Sequence, residues 1–171
     1  IVHRDLKLSN IILNQGFEVK LCDFGLAIQL EHPDEEHFTI CGTPNYIAPE
    51  IASQKSHGCP ADLWSVGCLF YSLVTGIMPF EHPDGVKETL QNIIVGNYEQ
   101  PRGMSTSALD FLNCFLDLNP NTRANAGNMC KHPFLWQYLS AVTQEYSTER
   151  SSQSPTKNTD VNVNFVPTYD S

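Results

Sequence analysis

An apolar segment near the middle of the chain limits the folds that are open to it. Residues 63–74, LWSVGCLFYSLV, contain nine apolar side chains among twelve positions when Cys and Tyr are counted. Apolar side chains on every side of a helix are typical of a helix buried in a core. The sequence therefore predicts a central core helix. Asp62 lies near its N-terminus, where a carboxylate suits the helix dipole and the free N–H groups.

Helical patterns also follow this segment. Residues 86–96, 105–116 and 127–142 each have the composition and periodicity of a helix, with Ser105 or Ser107 as the expected cap of the second. The sequence therefore predicts three further helices, which would pack around the central one.

The N-terminal part of the chain has a different pattern. Residues 10–25 contain two short apolar strands around a polar break at 14–16, which is typical of a β-hairpin. Residues 26–46 have no sustained period, and they contain prolines, Gly42 and an acidic cluster, so we expect a long surface loop. The predicted fold class is mainly α, a helical bundle around a buried central helix with a small β-hairpin near the N-terminus.

The composition changes near the C-terminus. Ten of the 29 residues from 143 to 171 are Ser or Thr, and large apolar side chains are sparse there. Such segments bury too little apolar surface to offset the entropy of ordering. The expected organisation is a folded domain over 1–142 and a disordered Ser/Thr-rich tail over 143–171.

Charge and cysteine usage exclude several classes of partner. The net charge is -9 and no basic run is present, so we expect no binding to nucleic acid or to a membrane. The six cysteines have no C-x-x-C spacing or zinc-site offsets, which favours reduced thiols over a disulfide scaffold. Loop histidines are expected to face solvent, namely His32, His37, His57 and His82.

Four polar residues near the start have the chemistry of a phosphoryl-transfer site. Asn10 enters the first strand of the predicted hairpin and Asp23 leaves the second, so antiparallel pairing should bring them side by side. Their oxygen atoms are suited to Mg²⁺. Asp5 can reach the same space, and Lys7 can contact a phosphate. A base, a lysine and two oxygen ligands are the minimal set for moving a phosphoryl group onto a hydroxyl.

Ordered motifs extend this pattern along most of the chain. HRDLKLSN at 3–10, DFG at 23–25 and APE at 48–50 resemble the catalytic loop, metal loop and activation segment of protein kinases. DLWSVGCLFY, NPNTRA and HPF are similar to later parts of the same domain. The resemblance implies the C-terminal lobe of the α+β protein kinase fold. EEHFTICGTPNYIAPEI is most similar to the polo-like kinases, in particular to their Sak-type, centriole-duplicating branch.

The resemblance implies a serine/threonine kinase that uses ATP and Mg²⁺, with Mn²⁺ as an alternative ion. Asp5 would accept or orient the proton of the substrate hydroxyl, and Lys7 would steady the γ-phosphate. Asn10 and Asp23 would hold the metal. The remaining positions implied to contact the nucleotide line the floor of the adenine pocket, and they are Ile12 and Cys22.

The resemblance also implies regulatory and supporting residues. Thr39 matches the activating phosphothreonine, and Arg4 would meet its phosphate, whereas Ile28 stands where many kinases place a second basic residue for it. Thr43 would contact the catalytic aspartate. The residues implied to support the structure are His3 and Phe24, which would pack together, Glu50 and Arg123, which would form an ion pair, and Asp62 on the central helix.

The motifs of a kinase N-terminal lobe are not found in this sequence. G-x-G-x-x-G and V-A-I-K are missing, so we expect the chain to lack the nucleotide clamp and to be inactive alone. Its expected partners are protein substrates and the missing lobe or a full-length kinase. The alternatives are a catalytically inactive protein-binding module and a regulatory short isoform. The expected location is the cytoplasm, with the centrosome or centriole and the nucleus as further candidates.

Overall fold

The computed structural model describes residues 1–32 and 35–136. Among these residues, two strands, β1 (Ile11–Leu13) and β2 (Val19–Leu21), are followed by five helices with defined bounds and by a helical segment at 133–136. The helices are α1 (Pro49–Ala52), α2 (Cys59–Thr75), α3 (Val86–Val95), α4 (Thr106–Phe115) and α5 (Ala126–Met129). Short 3₁₀ turns lie at Leu8–Asn10, Phe24–Leu26 and Pro44–Tyr46. The mainly α architecture with one small hairpin is the predicted fold class.

The central helix α2 forms the middle of the core. Its fully buried side chains include Trp64 and Cys68, and the Trp64 ring stacks on Phe80 at 5.2 Å between centroids. The prediction of burial on every side was wrong in the last turn, because Leu73 and Val74 are 65% and 53% exposed. The helix has 17 residues, and its C-terminal turn extends beyond the part that is covered by the rest of the core.

Helices α3 and α4 confirm the helices that were predicted over 86–96 and 105–116. Ser105 caps α4, since its Oγ accepts a hydrogen bond from the Ala108 amide at 3.2 Å. α3 ends at Gly96, which has φ +69° and suits the left-handed conformation of a C-terminal cap. α4 packs on α2, and α3 packs on α1.

The predicted helix over 127–142 was wrong as a single element. α5 ends at Met129, and helical structure resumes only at 133–136. Pro133 explains the break, because it has no N–H to donate and disfavours helical geometry at His132. Residues 137–142 and the predicted tail over 143–171 lie outside the described residues.

The predicted hairpin is confirmed. β1 and β2 are antiparallel, with Ile11 opposite Leu21 and Leu13 opposite Val19. The turn between them is organised by Asn14, whose side-chain oxygen accepts hydrogen bonds from the amides of Gly16 and Glu18, each at 2.9 Å.

The segment from 26 to 46 contains no α-helix among its described residues, in agreement with the predicted loop. Two isolated antiparallel bridges attach it to the domain. Ile28 pairs with Val2 near its start, and His37 pairs with His57 farther along. In the described part of the chain, no helix is both long and apolar enough to cross a membrane.

The close packing of α2 on α4 gives a stability prediction at Gly67. A Cβ atom at this position would lie 2.7 Å from Leu116 Cδ2 and 2.7 Å from Phe115 Cβ. We expect Gly67→Ala to lower the free energy of unfolding by about 1–3 kcal/mol, because overpacking outweighs the gain in helix propensity. Urea denaturation measures the change.

Gly127→Ala is the matched control for this substitution. A Cβ atom there meets only Asn125 Oδ1, at an ordinary 3.5 Å, within helix α5. This change should leave stability equal or raise it by up to about 1 kcal/mol. Equal unfolding midpoints for Gly67→Ala and the unchanged chain would contradict the packing argument.

Candidate active site

The loop that precedes the hairpin is attached to the central helix by Asp62. Its carboxylate accepts hydrogen bonds from the backbone amides of His3 at 2.7 Å and Arg4 at 2.9 Å. The carboxylate lies in the first turn of α2, as expected, where it suits the helix dipole, although Gly58 is the cap position and no side chain caps it. Asp62 also fixes the backbone of the two residues that precede Asp5.

Asp5 lies at the centre of a compact group of polar contacts. It is 8% exposed, and its Oδ1 accepts a hydrogen bond from Thr43 Oγ1 at 2.7 Å. Lys7 Nζ lies 2.7 Å from Asp5 Oδ2 and donates to Thr43 Oγ1 at 3.0 Å. The three side chains therefore close a triangle between the catalytic-loop sequence and the end of the long loop.

These contacts set the protonation state of Asp5. Burial by itself would raise the pKa of its carboxyl, but hydrogen bonds from Lys7 and Thr43 and the lysine charge hold that pKa below its ordinary value. The pKa of Lys7 is raised, chiefly by its hydrogen bond to Asp5. Near neutral pH Asp5 is thus an ionised acceptor beside a charged lysine.

Asn10 is buried and oriented by Asp5. Its amide nitrogen donates to the Asp5 backbone oxygen at 3.0 Å and contacts Asp5 Oδ2 at 3.4 Å. Since both contacts use the nitrogen, they leave the amide oxygen as an acceptor or metal ligand.

Asp23 lies near Asn10, although the strand register differs from the expected one. The Cys22 amide donates to the Asn10 carbonyl at 3.0 Å, so Cys22 and not Asp23 faces Asn10. Asp23 is exposed, with φ +61°, and its carboxylate has a long 3.4 Å contact from the Gly25 amide. One amide oxygen and one accessible carboxylate are a donor set that fits Mg²⁺.

His3 and Phe24 support this group from the side. Their rings lie 4.9 Å apart between centroids, as the resemblance implied. His3 Nε2 contacts the Cys22 carbonyl at 3.1 Å, and because a carbonyl only accepts, we assign the ring proton to Nε2. The predicted adenine-pocket residues, Ile12 and Cys22, lie on the same face of the hairpin as Asn10. Alternate residues of a strand share a face, which places Ile12 there, and Cys22 is opposite Asn10.

Arg4 and Thr39 are the two predicted regulatory residues. Arg4 has φ +67°, and its Nε donates to the Leu26 carbonyl at 2.6 Å. Thr39 is exposed on the long loop. Gly42 passes directly over Arg4, since a Cβ atom at Gly42 would lie 2.7 Å from the Arg4 carbonyl oxygen. The loop carrying Thr39 therefore returns to the catalytic loop at Arg4.

The predicted pair of Glu50 and Arg123 forms in the structure. Two parallel hydrogen bonds of 2.8 and 2.9 Å join the guanidinium to the carboxylate, and both side chains are almost fully buried. The guanidinium also lies 5.2 Å from the Trp64 ring centroid. Removing one partner of such a pair leaves a buried charge uncompensated, which makes the pair a firm attachment for α1.

Two contacts were missed by the sequence reasoning. Ser65 Oγ donates to the Tyr46 carbonyl at 2.8 Å, which ties the end of the long loop to α2. A hydroxyl inside an otherwise apolar helix was the available signal. His57 is only 5% exposed, so the expectation that it faces solvent was wrong. Its backbone pairing with His37 buries it, and no local pattern indicated that pairing.

A second group of possible metal ligands lies at α4. Asp110, Cys114 and His132 each place a ligand atom within 4.8 Å of the others. His132 Nδ1 accepts a hydrogen bond from the Phe134 amide at 3.2 Å, so its proton belongs on Nε2, which contacts Asp110 Oδ2 at 3.2 Å. In that arrangement the ring donates one hydrogen bond to Asp110 and accepts one from the Phe134 amide, which leaves no imidazole lone pair for a metal.

Known proteins resemble this chain over most of its length. A family model described as Protein kinase domain matches residues 1–135. Proteins named Serine/threonine-protein kinase PLK4 are 48% identical over 135 residues in Drosophila grimshawi and 46% identical over 137 residues in Danio rerio. These alignments cover 79% and 80% of this chain.

The chain spans only a small part of these relatives, 18% and 14% of their respective lengths. The family match and the helical fold with its single hairpin confirm the predicted kinase C-terminal lobe, and the relatives confirm the resemblance to polo-like kinases.

The contacts of Asp5 give a testable titration. We expect Lys7→Met to raise the pKa of the Asp5 carboxyl, because burial remains while the lysine hydrogen bond and charge are removed. The stability that ionised Asp5 contributes is present above the ordinary carboxyl pKa and is lost as pH falls through the lowered one. In Lys7→Met this contribution should be smaller, and its loss should be complete at a higher pH.

Carboxyl ¹³C NMR of Asp5 measures the titration directly. Lys20→Met is the control, since Lys20 is 64% exposed on the hairpin and pairs with Glu18 at 3.5 Å. An Asp5 titration midpoint that is unchanged in Lys7→Met would show that the triangle does not set its protonation.

Proposed function

The chain belongs to the protein kinase family, and we propose that a protein containing it transfers phosphoryl groups from ATP to serine or threonine hydroxyls of other proteins. The observation that carries the proposal is the triangle of Asp5, Lys7 and Thr43 beside two oxygen ligands. Positioning and charge neutralisation supply most of the catalysis in phosphoryl transfer, and this group provides both.

In this proposal Asp5 orients the acceptor hydroxyl. The ionised carboxylate accepts a hydrogen bond from the hydroxyl and takes its proton as the oxygen–phosphorus bond forms and the bond to the departing diphosphate breaks. Thr43 holds Oδ1 of Asp5 in place, while Lys7 can turn from Oδ2 towards the transferred phosphate. The amine remains charged because the pKa of Lys7 is raised.

Mg²⁺ and ATP are the proposed cofactors. Asn10 Oδ1 and the Asp23 carboxylate would hold the metal, and Mn²⁺ is an alternative of similar ligand preference. When bound, the ion neutralises phosphate charge. Ile12 and Cys22 would form the floor under the adenine ring.

An alternative role as a catalytically inactive binding module rests on the hairpin. Its apolar side chains are unusually exposed, and they are Ile12, Leu13, Phe17, Val19 and Leu21, with relative exposures from 47% to 83%. Exposed apolar side chains often mark an interaction site. We propose that in an active kinase an N-terminal lobe meets the hairpin and completes the nucleotide clamp. In the alternative role, a regulatory partner would cover these side chains and no catalysis would follow.

The cellular role is proposed from the relatives. These relatives are named serine/threonine-protein kinases, and the similarity to the Sak-type branch favours a function in the cell cycle at the centrosome or centriole, within the cytoplasm. The nucleus is a further candidate location.

The catalytic proposal predicts the effects of two substitutions in a kinase that contains this chain. Asp5→Asn and Asp23→Ala should each lower kcat by about 10²–10⁴-fold, because they remove the proton acceptor and a metal ligand. Phosphate transfer to a generic protein substrate is the measurement. Asp84→Ala is the control, since that carboxylate is exposed and pairs with His82 at 3.7 Å.

The isolated chain should show no phosphate transfer. Activity of the chain alone that is lost on Asp5→Asn would contradict the need for an N-terminal lobe. Retained activity of Asp5→Asn in the longer kinase would contradict the catalytic assignment.

Thr39 is proposed as an activating phosphorylation site. Its exposure gives another kinase access, and a phosphate there adds about -1.5 to -2 of charge beside the catalytic loop. Thr39→Ala should lower activity about tenfold, the size of a typical coupling between two sites. Thr39→Ser should keep most of it. Equal activity of all three forms, with phosphorylation at 39 verified by mass spectrometry, would remove Thr39 from the mechanism.

A further inference from the structure

The bridge between His37 and His57 determines what lies across from Thr39. The two residues exchange both backbone hydrogen bonds, at 3.1 and 2.9 Å, so they form a closely paired antiparallel position. The chain directions at this bridge are antiparallel, so residues 39 and 55 both lie two positions from it and on the same side of it; in a continued ladder they would be opposite each other. The residue at 55 is Lys55, which is exposed.

The pairing does not continue as a ladder to that position. The Lys55 amide donates instead to the Glu50 carbonyl at 2.8 Å, which fixes the Lys55 backbone to the end of α1. The backbone of Lys55 is thus fixed by α1, while its side chain is exposed. Thr39 lies on the long loop, two residues beyond the bridge at His37. Opposite Cα atoms in a regular antiparallel pair are about 5.5 Å apart. An extended lysine side chain is longer than this separation.

Arg4 donates its Nε–H to the Leu26 carbonyl, so it would meet a phosphate through its terminal nitrogens. The histidines near this segment are less suited to a phosphate. His37 Nε2 lies 3.0 Å from the Glu35 carboxylate. His57 is buried, and desolvation lowers the pKa of its ring, so it is neutral near pH 7. Among described residues, Lys55 forms no ion pair.

We infer that Lys55 binds the phosphate of phosphorylated Thr39 and supplies the second positive charge that Ile28 does not provide. The inference rests on the proposed function of Thr39. Ile28 is held by backbone pairing with Val2, and its side chain is apolar. Lys55 lies in the segment after α1, which pairs with the same loop through His57 and His37. Arg4 and Lys55 together would then hold the phosphate between the catalytic loop and α1.

The acidic residues of the loop oppose this binding and set its strength. Glu36 lies in the same surface cavity of about 550 Å³ as Lys55 and His57. A single exposed lysine beside a carboxylate gives a modest interaction that salt weakens. The phosphate is therefore bound reversibly and remains accessible to phosphatases.

The test follows the phosphate itself. The full chain is produced with phosphothreonine incorporated at position 39, and the second pKa of the phosphate is measured by ³¹P NMR. A nearby cation favours the dianion, so Lys55→Met should raise this pKa by about 0.3 to 0.7 unit. Lys55→Arg should keep the original value, and Lys55→Glu should raise it further. High salt should reduce every difference.

Lys20→Met is the matched control, because it removes an exposed lysine on the hairpin and should leave the phosphate pKa unchanged. If Arg4→Met raises the phosphate pKa and Lys55→Met does not, the inference is overturned and Arg4 acts alone. A phosphate unaffected by either substitution overturns it as well. These readouts need no catalysis, so they are separate from the Thr39→Ala activity test, whose failure would remove the regulatory role instead.

Discussion

The carboxylate of Asp62 is the attachment on which the candidate site depends. It joins the central helix α2 to two consecutive backbone amides, those of His3 and Arg4, at 2.7 and 2.9 Å. Arg4 has φ +67°, a conformation that costs a non-glycine residue of order 1–3 kcal/mol. Two hydrogen bonds to a charged acceptor contribute about 1.5–3 kcal/mol each, which outweighs that strain. The unusual backbone at Arg4 therefore persists, and it sets the direction in which the chain continues to Asp5.

The long loop over 26–46 is also held at both ends by contacts with residues that are distant in the sequence. Its start pairs with Val2 through Ile28, and its end is tied to the catalytic loop by the hydrogen bond of Thr43 to Asp5. Beyond that, Glu50 fixes α1 through the buried pair with Arg123. Because separating the pair would leave a buried charge without its partner, the pair holds α1 in its position. The loop can rearrange between these attachments while its ends stay in place, and Thr39 lies in that part.

The sequence predicted those features that depend on local patterns. The apolar content of 63–74 indicated the core helix, and alternation with the break at Asn14 indicated the hairpin, both of which the structure confirms. The helix over 127–142 failed because the pattern was followed through Pro133. The burial of Leu73 and Val74 was predicted wrongly, because the composition of a helix does not show where the core around it ends. The partners of Asp62 lie 58 and 59 residues away, and the burial of His57 depends on a bridge 20 residues back, so no local rule reaches them.

The structure also separates two conditions that an active kinase site of this kind would need. The first is the set of contacts that joins Asp5 to Lys7, Thr43 and Asn10. A phosphate on Thr39 would act four residues before Thr43, on chain that is attached at the His37–His57 bridge on one side and at Asp5 on the other. Its effect would therefore be to restrict the loop between those attachments, which favours access of a protein substrate over any rearrangement of the catalytic side chains.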